Sequence, residues 1–143
     1  MANMDKEISL FSAVCAECGA QFEVPCLGDM SYGEYLFCSE NGKIYAYANA
    51  FNANSRLIEV LLPEPINSEL FQSALAELAD KVLGQSLTSK RHCPNCRSTK
   101  VSVFTGKKTG VTWVKPVTYE RLLALGKHEL VELVSNFSSH GSP

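Results

Sequence analysis

The sequence lacks the features that would assign this protein to the membrane or the secretory pathway. No run approaches the about 18 consecutive apolar residues that a membrane-spanning helix requires. The first residues are polar, carry both signs of charge and lead into only a short apolar stretch, so they do not look like a secretory signal. We therefore expect a soluble, cytoplasmic protein with no membrane partner.

Catalytic motifs are also missing. The sequence has no Ser-His-Asp spacing, and no pair of acidic residues is marked out for acid-base chemistry. The segment 105–110, Thr-Gly-Lys-Lys-Thr-Gly, lacks the G-x-x-x-x-G-K-S/T order of a phosphate-binding loop, and no predicted helix follows it. We interpret it as a hairpin loop and predict that the protein is not an enzyme.

What is present indicates a folded chain. Hydrophobic residues make up 45% of the 143 residues and charged residues 20%, which is far from the composition of a disordered protein. This length allows one well-packed core and is short for two. We expect residues 1–143 to form a single domain.

Charge is distributed unevenly along the chain. Residues 1–80 hold twelve acidic side chains against three basic ones, a net charge of −9. Residues 81–119 hold eight basic side chains and no acidic ones, a net charge of +8, and the last 24 residues contribute −1. One segment of the chain is therefore strongly basic.

Six cysteines in a reducing compartment indicate metal binding or reactivity before disulfides. Cys15 and Cys18 form one Cys-x-x-Cys pair, and Cys93 and Cys96 form another. Two intervening residues let both sulfurs of a pair face one ion, and four thiolates complete a tetrahedral Zn²⁺ site. We predict that these four cysteines bind one structural Zn²⁺ ion.

The two pairs, Cys15-Ala16-Glu17-Cys18-Gly19 and Cys93-Pro94-Asn95-Cys96, resemble the zinc ribbon families, in which knuckles on two facing β-hairpins hold one zinc ion. The 74 residues between the pairs exceed the about 15–20 of a simple ribbon, so the resemblance implies an inserted module. Arg97 stands where many knuckles have glycine. The opening Cys-x-x-Cys-Gly-x-x-Phe also resembles the uncharacterised bacterial CpXC domain. Neither resemblance implies an activity.

Hydrophobic periodicity predicts an α+β fold. It consists of a zinc β-ribbon interrupted by an antiparallel β-meander plus a helix, with a C-terminal helix. The ribbon halves are residues 8–25 and 90–116, and the second half is a hairpin of two short strands. The inserted meander and helix occupy residues 34–84, and the C-terminal helical segment covers residues 118–137.

The insertion is divided by turn signals. Asn41-Gly42, a common hairpin dipeptide, and a second turn at 52–55 separate three apolar runs, of which the last is 57–62. These runs predict three antiparallel strands. A helix follows from Asn67 or Ser68, with Gly84 just past its end. In the C-terminal segment, Thr118 is the expected N-cap and Gly126 is expected to split the helix.

The remaining cysteines and histidine leave alternatives open. Cys26 and Cys38 could replace a ligand or join the first pair, but we interpret them as small buried hydrophobic residues. His92 is expected at the surface or behind the ligands, because four thiolates already complete the site. The second pair also has the form of a glutaredoxin-like motif, although such motifs open a helix and a strand is predicted here.

The basic segment has two interpretations. In the first, its charge offsets the about −2 charge of zinc with four thiolates, and Trp113 packs in the ribbon core. In the second, basic side chains contact phosphates while Phe104 and Trp113 stack on bases. The candidate nucleic-acid-binding residues are Lys90, Arg91, Arg97, Lys100, Lys107, Lys108 and Trp113. Acidic residues on the first knuckle, Glu17 and Glu23, would repel a polyanion unless the two signs occupy different faces.

The sequence thus predicts a non-enzymatic interaction module with a structural four-cysteine zinc site. Its partner is a nucleic acid or another protein. The alternative is a thiol redox protein or an enzyme that uses one Cys-x-x-Cys pair.

Overall fold

The computed structural model describes residues 5–27 and 33–138. The strands are β1 (Lys6–Cys15), β2 (Gln21–Cys26), β3 (Glu34–Ser39), β4 (Tyr45–Asn49), β5 (Leu87–Thr88) and β6 (Val101–Pro116). The helices are α1 (Ala53–Leu61), α2 (Ser68–Glu77), α3 (Glu120–Leu123) and α4 (Lys127–Ser135). This content confirms the α+β class. Across the described residues, no helix is both long enough and apolar enough to cross a membrane.

The six strands form one mixed sheet in the order β2-β1-β6-β4-β3-β5. All neighbouring strands are antiparallel except β4 and β6, which pair in parallel only at Ala46 with Lys115 and Tyr47 with Pro116. The sheet therefore has two parts, one formed by β2, β1 and β6 and the other by β4, β3 and β5. A short parallel contact joins them.

Strand β6 corrects the prediction of a hairpin in the second ribbon half. Both predicted arms pair with β1, so that Cys15 lies opposite Val101 at one end and Lys6 opposite Val114 at the other. The register shifts in the middle, and residues 105–107 have no partner in β1. The segment predicted as a hairpin loop is thus a bulge within one long strand, because pairing with β1 continues on both sides of it.

The prediction of a third strand in the meander is also wrong. Residues 53–61 form helix α1, and the Asn52 side chain accepts a hydrogen bond from the Ser55 backbone N–H at 3.0 Å, which is the geometry of an N-cap. Ser55, Ile58 and Leu62 are buried, and their spacing of three and four residues places them on one helical face. The first two strands of the meander are confirmed as β3 and β4.

Helix α2 begins as predicted and ends earlier. The Asn67 side chain accepts a hydrogen bond from the Leu70 N–H at 2.8 Å, but the helix ends at Glu77 rather than next to Gly84. Gly84 lies instead in a tight turn closed by the bridge between Val82 and Gln85. The predicted connector after it contains the short strand β5, which pairs with β3.

The larger core packs the helices against β3 and β4. Phe37 and Ala46 from the strands contact a cluster that includes Ile58 of α1, Leu75 of α2 and Val134 of α4. A smaller cluster of Ile8, Tyr47 and Val114 joins the two parts of the sheet. Full burial of an aliphatic side chain contributes about 1.5–3 kcal/mol, so the helices are held mainly through the first cluster.

Hydrogen bonds hold the C-terminal segment against α2 and against Asp80, which follows it. The Tyr119 hydroxyl donates to the Leu75 carbonyl at 2.6 Å. Asp80 accepts hydrogen bonds from the Thr118 hydroxyl and from the Glu120 and Arg121 backbone N–H groups at 2.6–3.0 Å. Asp80, which lies in a distant part of the chain, therefore caps α3. The sequence had predicted Thr118 as the N-cap.

Gly126 separates the two C-terminal helices as predicted. It is the N-cap residue of α4, and α3 has already ended at Leu123.

Candidate metal centre and basic strand

The first cysteine pair sits in a tight turn between β1 and β2. Cys15 is the last residue of β1, and its N–H donates to the Ala20 carbonyl at 3.0 Å. The Gly19 N–H donates a hydrogen bond to the Cys15 carbonyl at 2.8 Å, and Gly19 has a φ of +75°. Glycine adopts this left-handed conformation without steric cost, which allows the turn to close behind the two sulfurs.

The second pair repeats the same turn. The Cys93 N–H donates to the Ser98 carbonyl at 2.8 Å, and the Arg97 N–H donates to the Cys93 carbonyl at 2.9 Å. Arg97 has a φ of +68°, so it takes the left-handed conformation that Gly19 takes in the first turn. The departure of Arg97 from the usual glycine therefore leaves the shape of this knuckle intact, at a modest cost in backbone strain.

The pairing of β1 with β6 brings the two knuckles together. Cys15 lies opposite Val101, and the Ala16 N–H donates to the Lys100 carbonyl at 2.8 Å. The turn between β3 and β4 supports the second knuckle from another side, because Gly42 packs against its backbone at His92 and Cys93.

The four sulfurs form one cluster. The Sγ atoms of Cys15, Cys18, Cys93 and Cys96 all lie within 4.8 Å of one another. Two sulfur pairs cross between the knuckles, with Cys15 3.5 Å from Cys96 and Cys18 3.6 Å from Cys93. A tetrahedral ion with bonds of about 2.3 Å separates its sulfurs by about 3.8 Å, so this cluster can hold a metal ion.

Asn95 is a site residue that the sequence analysis missed. Its side-chain Nδ2 donates to the Cys18 sulfur at 3.4 Å, and its backbone N–H donates to the Cys93 sulfur at 3.3 Å. It therefore links the two knuckles. The only signal available in the sequence was its position between Cys93 and Cys96, where the backbone amides of a knuckle usually face sulfur.

Hydrogen bonds and burial shift the pKa values of the clustered thiols in different directions. The side chain of Asn95, followed by the Ala20 backbone, lowers the pKa of Cys18 to about 6. A backbone hydrogen bond at Cys18 lowers the pKa of Cys15 against the opposing effect of burial. At Cys96 the Ser98 backbone lowers the pKa, but burial and the three neighbouring cysteines outweigh it and raise the value to about 12. Within the cluster the pKa values of Cys15 and Cys18 are thus lowered and the pKa of Cys96 is raised. A bound divalent cation would favour the thiolate form of its ligands.

The other two cysteines lie outside this cluster. Cys38 is buried, its thiol donates to the Ser39 carbonyl at 3.2 Å, and burial raises its pKa. This agrees with its interpretation as a small buried residue. Cys26 is half-buried at the end of β2, and its sulfur accepts a hydrogen bond from Arg91 Nη2 at 3.1 Å.

His92 is likewise not part of the cluster. Its Nδ1 lies 3.0 Å from the Lys90 carbonyl oxygen and 3.4 Å from the Thr88 hydroxyl. These contacts fix the chain just before the second knuckle. Among the described residues, the group that could hold a metal ion comprises the four paired cysteines and no histidine.

The candidate nucleic-acid-binding residues are dispersed. Arg91 points to β2, where it also donates to the Pro25 carbonyl at 3.2 Å, and Lys100 forms an ion pair with Glu17 at 3.0 Å. Lys90, Arg97, Lys107 and Lys108 are exposed. Within residues 5–27 and 33–138, no carboxylate lies within ion-pair distance of Lys107 or Lys108.

The aromatic residues of β6 are exposed as well. Trp113 retains 64% of its accessible surface and Phe104 retains 58%. Trp113 is therefore not packed in a core. The charge-balancing interpretation had placed it in the ribbon core, and this part of that interpretation is wrong. Strand β6 therefore carries two exposed aromatic side chains together with the exposed Lys107 and Lys108.

No protein-family model, curated protein or solved structure matches the chain. The resemblance to zinc ribbons and to the CpXC domain therefore rests on the spacing of the cysteines and on the clustering of their four sulfurs.

Proposed function

We propose that this protein is a non-enzymatic interaction module, that its four-cysteine cluster holds one structural Zn²⁺ ion, and that its basic strand β6 contacts nucleic acid. The convergence of four sulfurs from two equivalent knuckles carries the metal assignment. Zinc is the ion of choice for four cysteine ligands in tetrahedral arrangement. A reducing compartment such as the cytoplasm would keep the four cysteines free of disulfides and available to the metal.

A structural role for the metal follows from the ligand set. Four protein sulfurs leave a tetrahedral ion no open position for water or substrate, so the ion would contribute folding free energy rather than chemistry. Metal analysis of freshly purified protein tests this, with one zinc per chain as the expected result. A chain purified without metal, or with zinc that survives substitution of any of the four cysteines, would contradict the assignment.

Nucleic-acid contact is supported by the unpaired cations of β6. Lys107 and Lys108 are exposed and lack a carboxylate partner among the described residues, and exposed Trp113 lies on the same strand. Charges of this kind bind phosphates through the release of counterions. Titration of the protein with labelled DNA and RNA at several salt concentrations tests the proposal. Absence of salt-sensitive binding would leave a protein partner as the better proposal.

The alternative function, a thiol redox protein or an enzyme using one cysteine pair, makes a different prediction. Redox pairs usually stand at the start of a helix, whereas each pair here is enclosed in a turn beside a strand. Thiol labelling distinguishes the two functions. A structural site protects four cysteines until a chelator removes the metal, and a redox pair reacts in the untreated protein.

A further inference from the structure

One edge of β6 is open along most of its length. β1 covers the other edge from Lys6 to Cys15, whereas β4 reaches β6 only at Lys115 and Pro116. Among the described residues, no strand lies beside the outer edge of residues 101–114. A ligand that crosses this edge can therefore contact both faces of the strand.

The two exposed aromatic rings lie on opposite faces. Trp113 pairs with Glu7, and Phe104 pairs with Ser12. β1 keeps a constant register with β6 from Lys6 to Leu10 and with β2 from Ser9 to Val14, so its side chains alternate regularly between the faces. Residues 7 and 12 are five apart and therefore face opposite ways, which places their partners on opposite sides of the sheet.

The surroundings of Phe104 agree with this assignment. Phe104 borders a shallow depression lined by residues 12–14 of β1 and 21–23 of β2. Within this lining, Ser12 and Val14 share a face with Glu23 and Gln21, with which they pair, and Ala13 and its partner Phe22 alternate with them. Phe104 thus belongs to the face that Trp113 does not occupy.

The free cations lie between the two rings. Lys107 lies in the bulge, and Lys108, which pairs with Phe11, borders it where the register passes from the Trp113 side to the Phe104 side. The rings themselves have acidic neighbours, since Glu7 is opposite Trp113 and Glu23 borders the depression at Phe104. Phosphates are therefore favoured at the edge, and uncharged bases are favoured at the rings.

From this arrangement, and resting on the proposed nucleic-acid contact, we infer that the ligand of β6 is a single strand that crosses the open edge. One base stacks on Trp113, the following phosphates meet Lys107 and Lys108, and a later base stacks on Phe104 on the opposite face. Their partners in β1, Glu7 and Ser12, are five residues apart. At about 3.4 Å per residue, the two rings are separated by about 17 Å along the strand direction. A duplex is too stiff to fold around one strand over this distance, and its bases are already stacked.

The test uses the full chain with its zinc and labelled oligonucleotides of about twelve bases, within the about 4–16 that comparable single-strand binders cover. Single-stranded DNA, single-stranded RNA and both duplexes are compared by fluorescence anisotropy at fixed salt. We expect the single strands to bind at least about ten-fold more tightly than the duplexes. Trp113→Ala and Phe104→Ala should each weaken single-strand binding by about ten-fold or more. Since the chain contains one tryptophan, quenching of its emission reports contact at Trp113 directly.

Two controls separate loss of contact from loss of fold. Zinc content and circular dichroism are measured for each variant. Lys81→Ala combined with Lys127→Ala removes two exposed cations away from β6 and should leave binding within about two-fold of the unmodified chain, because contact with the bulge rather than total charge is required.

The outcomes are distinct. Equal binding of duplex and single strand, or a loss of affinity from only one of the two ring substitutions, would overturn the single-strand path while the proposed nucleic-acid contact stands. Absence of salt-sensitive binding to all four ligands would overturn the proposed contact and this inference with it.

Discussion

Gly42 packs so closely against His92 that no side chain fits between them. A Cβ at position 42 would lie 2.4 Å from the His92 carbonyl oxygen and 2.6 Å from the Pro94 backbone nitrogen. The neighbouring atoms belong to the backbone of the second knuckle and cannot rotate away. The β3–β4 turn thus helps to set the position of Cys93 and Cys96, which lie about fifty residues further along the chain.

Gly42→Ala should weaken metal binding, because the added methyl group displaces the knuckle that carries Cys93. Displacement of groups that support metal ligands typically costs about 10–100-fold in affinity, and we expect a loss in this range. Competition with a chromophoric chelator measures it. Gly84→Ala is the control, since Gly84 has a similar φ of +79° and a Cβ added there would have nothing within 4 Å. Equal loss from both variants would show that backbone strain, not contact, is responsible.

Cys93→Ser should unfold more than the second knuckle. The proposed zinc joins two segments separated by 74 residues, and its loss releases both from their common anchor. We expect the melting temperature to fall by roughly 10 °C or more, monitored by circular dichroism together with zinc content. Cys26→Ser, outside the cluster, should retain its zinc. A Cys93→Ser protein that melts like the parent and keeps its metal would refute the four-cysteine assignment.

Lys107→Ala combined with Lys108→Ala should flatten the salt dependence of nucleic-acid binding. Each phosphate contact contributes about 0.7–0.9 to the slope of log K against log salt, so the pair should reduce the slope by up to about two units. Anisotropy titrations at four or more salt concentrations give the slope. An unchanged slope would place the phosphate contacts elsewhere on the protein.

Asp80→Asn should reduce stability at neutral pH and lose its effect in acid. Partial burial raises the pKa of Asp80, but hydrogen bonds from Thr118 and from the Arg121 and Glu120 amides outweigh it and lower the pKa below the ordinary value. A carboxyl with a lowered folded-state pKa stabilises the fold above its unfolded pKa of about 4, and this contribution disappears as pH falls through the folded value.

Urea unfolding at several pH values measures the difference between the Asp80→Asn variant and the parent. Asn accepts hydrogen bonds at only one of its two terminal atoms, whereas Asp80 accepts at both. Loss of a hydrogen bond to a charged group costs about 1.5–3 kcal/mol at most, so the difference should be up to this size at pH 7 and should shrink below about pH 4. Acid also releases metal, but it does so in both proteins and cancels in the comparison. A difference that stays constant from pH 7 to pH 3 would contradict the role of the carboxylate.

The clustering of the four paired cysteines could be predicted because its signal is local. Two residues between paired cysteines fix the shape of a knuckle almost independently of the rest of the chain. Even Arg97 in place of glycine leaves the turn unchanged, as its φ of +68° shows. The contact of Gly42 with His92 could not be predicted, because it depends on how a distant turn packs in three dimensions.

Two of the errors in secondary structure have physical causes that can be named. A short apolar run such as 57–62 fits a strand and a buried helix equally well, and the Asn52 cap and the packing of Ile58 decide for the helix. The segment 105–110 has the composition of a turn, yet β1 pairs with β6 on both sides of it. There, long-range pairing overrides local preference.

The pairing of β1 with β6 also determines when the protein can fold. Lys6 pairs with Val114, so these two neighbouring strands of the sheet come from segments that are far apart in the sequence. Contacts of such sequence separation slow folding, because a long loop must close before they form. During synthesis, β1 and the first cysteine pair leave the ribosome well before their partners, and one edge of β1 stays uncovered until β6 has been made.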